Sequence, residues 1–192
     1  MQASAATELI LIRHAPALTG GRLCGRTDVD ADLGDGTGAR ALARALGAVE
    51  RVVASPARRC RQTAGAMWPG LTPALDAALW EQDFGDWDGR PVADVPDLGP
   101  MTRADLARHR PPGGGESFAD LVARVTPALT ALGPGLTVVV AHAGTIRAGL
   151  SLALRDPADA LGVDIAPLSA SRIVRHGAGW SLGYVNRIAP WP

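Results

Sequence analysis

Three places in this sequence set a cation or an imidazole directly behind an apolar run. LILI, residues 9–12, is followed by Arg13 and His14; RVVAS, residues 51–55, leads to Arg58 and Arg59; LTVVVA leads to His142. A short apolar run bounded by polar residues reads as a buried strand, so each of these groups stands at a strand end. If the strands are neighbours, two histidines and two arginines meet in one crevice. Like charges gathered there raise each other's cost of desolvation, and an anion relieves it. Phosphate fits best, because guanidinium presents a planar fork of donors to its oxygens. Helices starting after Ser55 and His142 would aim their positive ends at the same place.

Neutral imidazole is a competent nucleophile and can be phosphorylated on a ring nitrogen. Transfer to a histidine splits phosphoester hydrolysis into two steps and needs no metal. Arginines and a second histidine would hold the equatorial oxygens in the transition state. The leaving alkoxide needs a proton, from a carboxylic acid with a raised pKa. The chain has only four glutamates: Glu8, Glu50, Glu81 and Glu116. Glu8 lies at the far end of the first strand and Glu50 leads into the second. Glu81 and Glu116 remain, each after a turn that could return to the crevice.

The elements that must position these groups follow from pattern. Residues 8–13, 51–55 and 136–142 read as strands, with a further short strand in 75–80 and two closing strands in LSASRIVRH and GWSLGYVN. Helices are expected from Ala39 (ARALARALGAV), in PARRCRQTAGAMW with Ser55 as cap, and in MTRADLARHR. SFADLVARVTPALTAL, bent or split at Pro127, and GTIRAGLSLAL are expected helices too. Residues 15–37 and 81–100 read as irregular. Apolar strands alternating with helices predict an α/β domain with a largely parallel sheet covered on both faces, ligands lying beyond the carboxyl ends of the strands. At 192 residues, one domain, 1–192, is expected.

Composition narrows the function. The 19 basic and 19 acidic residues cancel, which speaks against nucleic acid as a partner. No apolar run approaches membrane-spanning length, and MQASAAT, residues 1–7, has no leader features. All basic residues are arginine, so P-loop and Schiff-base chemistry are excluded. Cys24 and Cys60 read as free thiols of a cytoplasmic protein. Neither starts a C-x5-R phosphatase motif, since Asp30 and Ala66 stand six residues on. DVDAD, residues 28–32, fails as a calcium loop, with Leu33 and Ala39 where glycine and glutamate belong.

RHA at 13–15, SPARRCRQTA at 55–64, EQDFGDWDG at 81–89, PGGGES at 112–117 and VVAHAGTIRA at 139–148, in this order, together resemble the histidine phosphatase superfamily, the phosphoglycerate-mutase-like fold. The resemblance implies a three-layer α/β/α sandwich, mostly parallel with one antiparallel strand. It implies His14 as the phosphorylated nucleophile, Arg13, Arg59 and His142 as the phosphate pocket and Glu81 as the proton donor, with no metal and no cofactor. Ala143 joins the substrate-binding set beside His142. LCGRTDVD, residues 23–30, and DFGDWDG are similar to the α-ribazole phosphatase branch, which implies α-ribazole 5′-phosphate as substrate and Arg26 and Thr27 near its phosphate or ribose. Ala15 and Pro16 after the histidine agree with that branch, while DADLGDGTG, residues 30–38, and the extra glycine of PPGGGES depart from it. The chain lacks room for the covering insertion of the mutases, so water should reach a phosphohistidine.

Two alternatives stand beside this reading: a general sugar-phosphate or nucleotide phosphatase, and a non-catalytic regulator that binds a phosphorylated ligand. The partners expected are a small phosphorylated substrate and, at most, a second copy in a homodimer. Other polar residues have plainer readings. His109 and His176 read as surface or turn residues, Arg58 and Arg61 as solvated or paired with Asp, and Asp83, Asp86 and Asp88 as turn acids, one of which could orient an arginine. Trp87 reads as pocket wall or as core under its loop, Ser117 as helix cap or substrate contact.

Overall fold

The computed structural model describes residues 6–191; of MQASAAT, in which no leader is expected, only Ala6 and Thr7 fall within them. The first half of the chain runs β1 (Thr7–Arg13), α1 (Thr37–Leu46), β2 (Val52–Ala54), α2 (Arg58–Met67) and β3 (Ala74–Leu75). The second half runs α3 (Arg103–Arg108), α4 (Phe118–Thr130), β4 (Gly135–Ala141), α5 (Ala143–Ser151), β5 (Ser169–His176) and β6 (Gly179–Ile188). The strands form one sheet in the order β3-β2-β4-β1-β5-β6. The first four are mutually parallel, β5 is antiparallel to β1, and β6 is antiparallel to β5. One strand, β5, therefore opposes the other five, as expected.

Successive side chains of a strand point to opposite faces. Leu9, Leu11, Val139 and Ala141 pack under α4 and α5, together with Phe118, Leu121 and Ile146. Ile10, Ile12, Val138 and Val140 pack on the other face against Leu42, Ala64 and Met67 of α1 and α2. This gives the three layers, and it explains why the central strands are apolar throughout. No helix among the described residues is long and apolar enough to cross a membrane.

The element boundaries differ from the sequence pattern at four points. α1 stops at Leu46 because Gly47, at φ 74°, turns the chain out of the helix. The strand expected in 75–80 is Ala74–Leu75; Asp76 then accepts the Ala78 amide and starts a 3-10 turn, Ala77–Leu79. Pro127 does not split α4; the hydroxyls of Thr126 and Thr130 around it donate to carbonyls one turn back. α2 opens at Arg58 with Ala57 as its N-cap, so Ser55 is not the helix cap.

Candidate active site

The parallel register brings the strand ends level. Arg13 pairs with Ala141, so His14 and His142 are the next residues of adjacent strands, and the His14 amide donates to the Ala141 carbonyl at 2.9 Å. On the other side of β4, the Ser55 amide donates to the Val140 carbonyl at 3.0 Å. The two imidazoles meet edge to face, their centroids 5.1 Å apart. Arg13, His14, Arg59, Glu81 and Ala143 line one cleft of about 390 Å³. The three strand ends thus converge, and Glu81 comes to them from a loop.

Each histidine has a defined tautomer. His14 Nδ1 lies 2.6 Å from the Ala15 carbonyl oxygen. A carbonyl only accepts, so Nδ1 carries the hydrogen and Nε2 keeps its lone pair. Burial, reinforced by Arg59 and Arg13, lowers the His14 pKa to about 3, so the ring is neutral near pH 7. His142 is fully buried, and burial together with Arg59 holds its pKa well below the usual imidazole range. Its Nδ1 accepts from Arg59 Nε at 3.3 Å, so Nε2 carries the hydrogen and donates to Ser55 Oγ at 2.9 Å. Ser55 thus orients His142, a role its position before α2 did not suggest.

Arg59 is a buried cation, 1% exposed. Beyond His142 it donates to the carbonyls of Thr27 at 3.1 Å and Gly25 at 2.8 Å, holding loop 24–27 against the sheet end. Arg13 donates to the Ile165 carbonyl at 2.5 Å, and its Nε is buried without a protein partner. Burial lowers the Arg13 pKa, opposed by the Glu81 carboxylate nearby.

The two glutamates left open by the sequence part company here. Glu81 accepts the Gly144 amide at 3.2 Å, in the first turn of α5 and two residues from His142. A β-carbon on residue 144 would collide with Glu81 Oε1, so glycine is required for this approach. Glu116 is gripped by Arg124 through Nε at 2.8 Å and Nη2 at 2.7 Å, and accepts the Asp83 amide at 3.0 Å. Burial works against its charge, yet these donors hold its pKa below the usual range. Glu116 is thus a fixed carboxylate outside the cleft. Arg124 also donates to the carbonyls of Ala78, Trp80 and Glu81, so three of its five N–H groups tie the Glu81 loop to α4 and the other two hold Glu116.

Three expected substrate contacts stand elsewhere. Arg26 lies over the Trp80 ring, 5.8 Å from its centroid, with its Nη2 3.6 Å from Glu116, and does not line the cleft. Thr27 is exposed and does not line the cleft; its carbonyl serves Arg59, and its amide donates to Asp88. Ser117 is 3% exposed and forms a reciprocal capping box with Asp120. Its hydroxyl is committed to the start of α4. Among the described residues Asp88 bonds to no arginine side chain; it receives the amides of Arg26 and Thr27 and so shapes their loop. Trp87 stacks on His109, centroids 5.6 Å apart, in an adjoining apolar cavity of about 260 Å³ that shares Leu23, Gln82 and Phe84 with the cleft. Arg58 pairs with Asp30 at 2.7 Å.

A family model, the histidine phosphatase superfamily (branch 1), matches residues 9–188. The chain belongs to that superfamily. Among curated relatives, this histidine phosphatase is 32% identical over 163 residues to the bifunctional protein Rv2228c of Mycobacterium tuberculosis, covering 79% of this chain and 44% of the relative. It therefore spans less than half the length of that relative. Among solved structures, mycobacterial glucosyl-3-phosphoglycerate phosphatase superposes with a TM-score of 0.79 at 28% identity, covering 94% of this chain and 99% of its own. The α-ribazole phosphatase of Shigella flexneri superposes with a TM-score of 0.79 at 21% identity, covering 96% and 100%; at that identity it speaks for the shared fold alone.

Sequence reasoning missed Arg147, Arg124 and Ser55's bond to His142. A helical signal for Arg147 was available. It lies four residues after Ala143, hence on the same helix face, and both line the cleft. Arg124 had no such signal, because its partners come from two segments, residues 78–81 and Glu116.

Proposed function

We propose that this histidine phosphatase hydrolyses phosphomonoesters in two steps through a phosphohistidine at His14. His14 Nε2 attacks phosphorus, and the departing ester oxygen takes a proton from Glu81. Water then gives a proton to the Glu81 carboxylate as it attacks the phosphohistidine, releasing inorganic phosphate and free imidazole. Arg13 and Arg59 offset the charge of the equatorial oxygens, with the neutral His142 ring holding Arg59 in place, so neither step calls on a metal. The observation that carries this reading is the 2.6 Å bond from His14 Nδ1 to the Ala15 carbonyl, which leaves a neutral ring with Nε2 as its free nucleophilic atom.

The test is turnover of p-nitrophenyl phosphate in EDTA, with rapid quench to trap an acid-labile phosphoenzyme. The wild type is expected to turn over and to trap; His14→Ala is expected to do neither. Loss of activity in EDTA would contradict the metal-free course, and tight binding without turnover would favour a phospho-ligand-binding regulator.

Two substrates have support from different observations. LCGRTDVD and DFGDWDG favour α-ribazole 5′-phosphate, and with it a step in cobalamin assembly. The 28% identical mycobacterial neighbour favours glucosyl-3-phosphoglycerate. The free thiols Cys24 and Cys60 accord with a cytoplasmic setting. A phosphoester panel containing both compounds separates the readings by kcat/KM.

A further inference from the structure

The Glu81 carboxylate has few bonds of its own to keep it in the cleft. It accepts the Gly144 amide at 3.2 Å and the amide of its neighbour Gln82 at 3.0 Å. The chain that carries it is irregular between the 3-10 turns Ala77–Leu79 and Gly85–Trp87. Such a segment is fixed only where its backbone groups find partners.

Here those groups converge on two side chains outside the cleft. Arg124 takes the carbonyls of Ala78 at 2.7 Å, Trp80 at 3.1 Å and Glu81 itself at 3.3 Å. The Glu116 carboxylate takes the Asp83 amide at 3.0 Å. The Glu116 backbone adds two bonds: its amide donates to the Asp83 carbonyl at 2.8 Å, and its carbonyl accepts Gln82 Nε2 at 2.6 Å. Glu81 is thus gripped from both sides in sequence. The two gripping residues also grip each other, through Arg124 Nε at 2.8 Å and Nη2 at 2.7 Å. Arg26 stands 3.6 Å from the same carboxylate, beyond hydrogen-bond reach. Gly115 permits the close approach, since a β-carbon there would lie 3.0 Å from the Asp83 carbonyl oxygen. Each partner needs the other, because a largely buried charge left without its counter-ion is strongly destabilising.

We propose that Glu116 and Arg124 form a clamp that positions Glu81 for proton transfer, acting from outside the cleft. They are positioning residues, and the inference rests on the phosphomonoesterase reading and deepens it. The step that feels them is the one Glu81 performs, because a misplacement of about 1 Å can cost ~10²-fold in rate. His14 and Arg59 are held instead by strand register and by loop 24–27, so the attack on phosphorus is spared.

The test compares phenyl phosphate, whose leaving group needs a proton, with p-nitrophenyl phosphate, whose leaving group does not. Glu116→Gln keeps the size and the acceptor for Asp83 but removes the charge that holds Arg124. Arg124→Lys keeps the charge but not the fork. Each is expected to lower kcat for phenyl phosphate about ten-fold or more, with KM and the p-nitrophenyl phosphate kcat within about two-fold of wild type. In a Glu81→Gln background, adding Glu116→Gln is expected to cost phenyl phosphate turnover no more than about two-fold, because the group to be positioned is gone. Should Arg124→Lys fail to fold, the isosteric Glu116→Gln carries the test. Equal losses on the two esters, a lowered Tm with their ratio unchanged, or the full loss repeated in the Glu81→Gln background would overturn the proposal and leave the pair a structural role. Wild-type protein that turns over neither ester would refute the phosphatase reading and this inference with it; turnover with an unshifted ratio in the variants would refute the inference alone.

Discussion

The two sides of the cleft are built by different means. On the sheet side, His14, Arg59 and His142 are almost fully buried, at 6%, 1% and 0% exposure, and sit where strand register puts them. Desolvation, reinforced by the Arg59 cation, keeps both imidazoles neutral. On the loop side, Glu81, Glu116 and Asp88 are held by hydrogen bonds from segments far apart in sequence, with Arg124 tying loop to helix. The sheet side is thus rigid and shifted in pKa. The loop side is partly solvated and depends on the fit between neighbouring turns. The proposed nucleophile and phosphate pocket share the rigid side, and the group proposed to move protons sits on the adjustable one.

This contrast can be broken from either side. The largest effect is expected at the loop side's reacting group. Glu81→Gln should lower kcat for alkyl phosphates by ~10²–10⁴-fold while sparing p-nitrophenyl phosphate, whose leaving group departs unprotonated. Equal losses on the two substrates would remove Glu81 from the acid role.

Acid probes the sheet side. The folded-state pKa of His14 is depressed from 6.5 to about 3, so its contribution to stability is fully present above about pH 6.5. That contribution is lost as pH falls from there towards 3, since the unfolded chain binds the proton first. The His142 shift has the same sign. Denaturant titrations should show unfolding free energy dropping between pH 7 and 4, with His14 alone worth on the order of 5 kcal/mol over its whole range. His14→Phe, which cannot take up a proton, should flatten the slope; an unchanged slope would mean the ring is not held neutral.

Gly144→Ala tests the join between the two sides, because the added methyl pushes on the Glu81 carboxylate. Alkyl phosphate turnover should fall about ten- to hundred-fold, with phosphoenzyme formation from p-nitrophenyl phosphate retained. The smallest effect belongs to Ser117→Ala. Loss of its capping box should cost ~1 kcal/mol, seen as a Tm lower by about 2–4 °C. A large rise in KM instead would return Ser117 to the substrate.

The same division decides what could be foreseen. Apolar runs LILI, VVA and TVVVA name their own strands, because a buried parallel strand must be apolar on both faces. Whatever follows such a run stands at the sheet's end, so Arg13, His14 and His142 were legible from residue type and order alone, whereas Arg58 and Arg59 stayed open until the family resemblance selected Arg59. The loops had no comparable code. Arg26 and Thr27 looked like substrate contacts beside a motif, yet Asp88 and Arg59 use their backbone groups to build a wall.

Residue chemistry and local pattern therefore set the strands and the cations and imidazoles that gather at their ends. Tertiary packing chose Glu81 over Glu116, gave each imidazole its tautomer and brought Arg147 into the cleft. The physical reason is range. Burial and strand periodicity are properties of short segments, whereas a hydrogen bond between residues 81 and 144, or 59 and 142, exists only after the chain between them has folded.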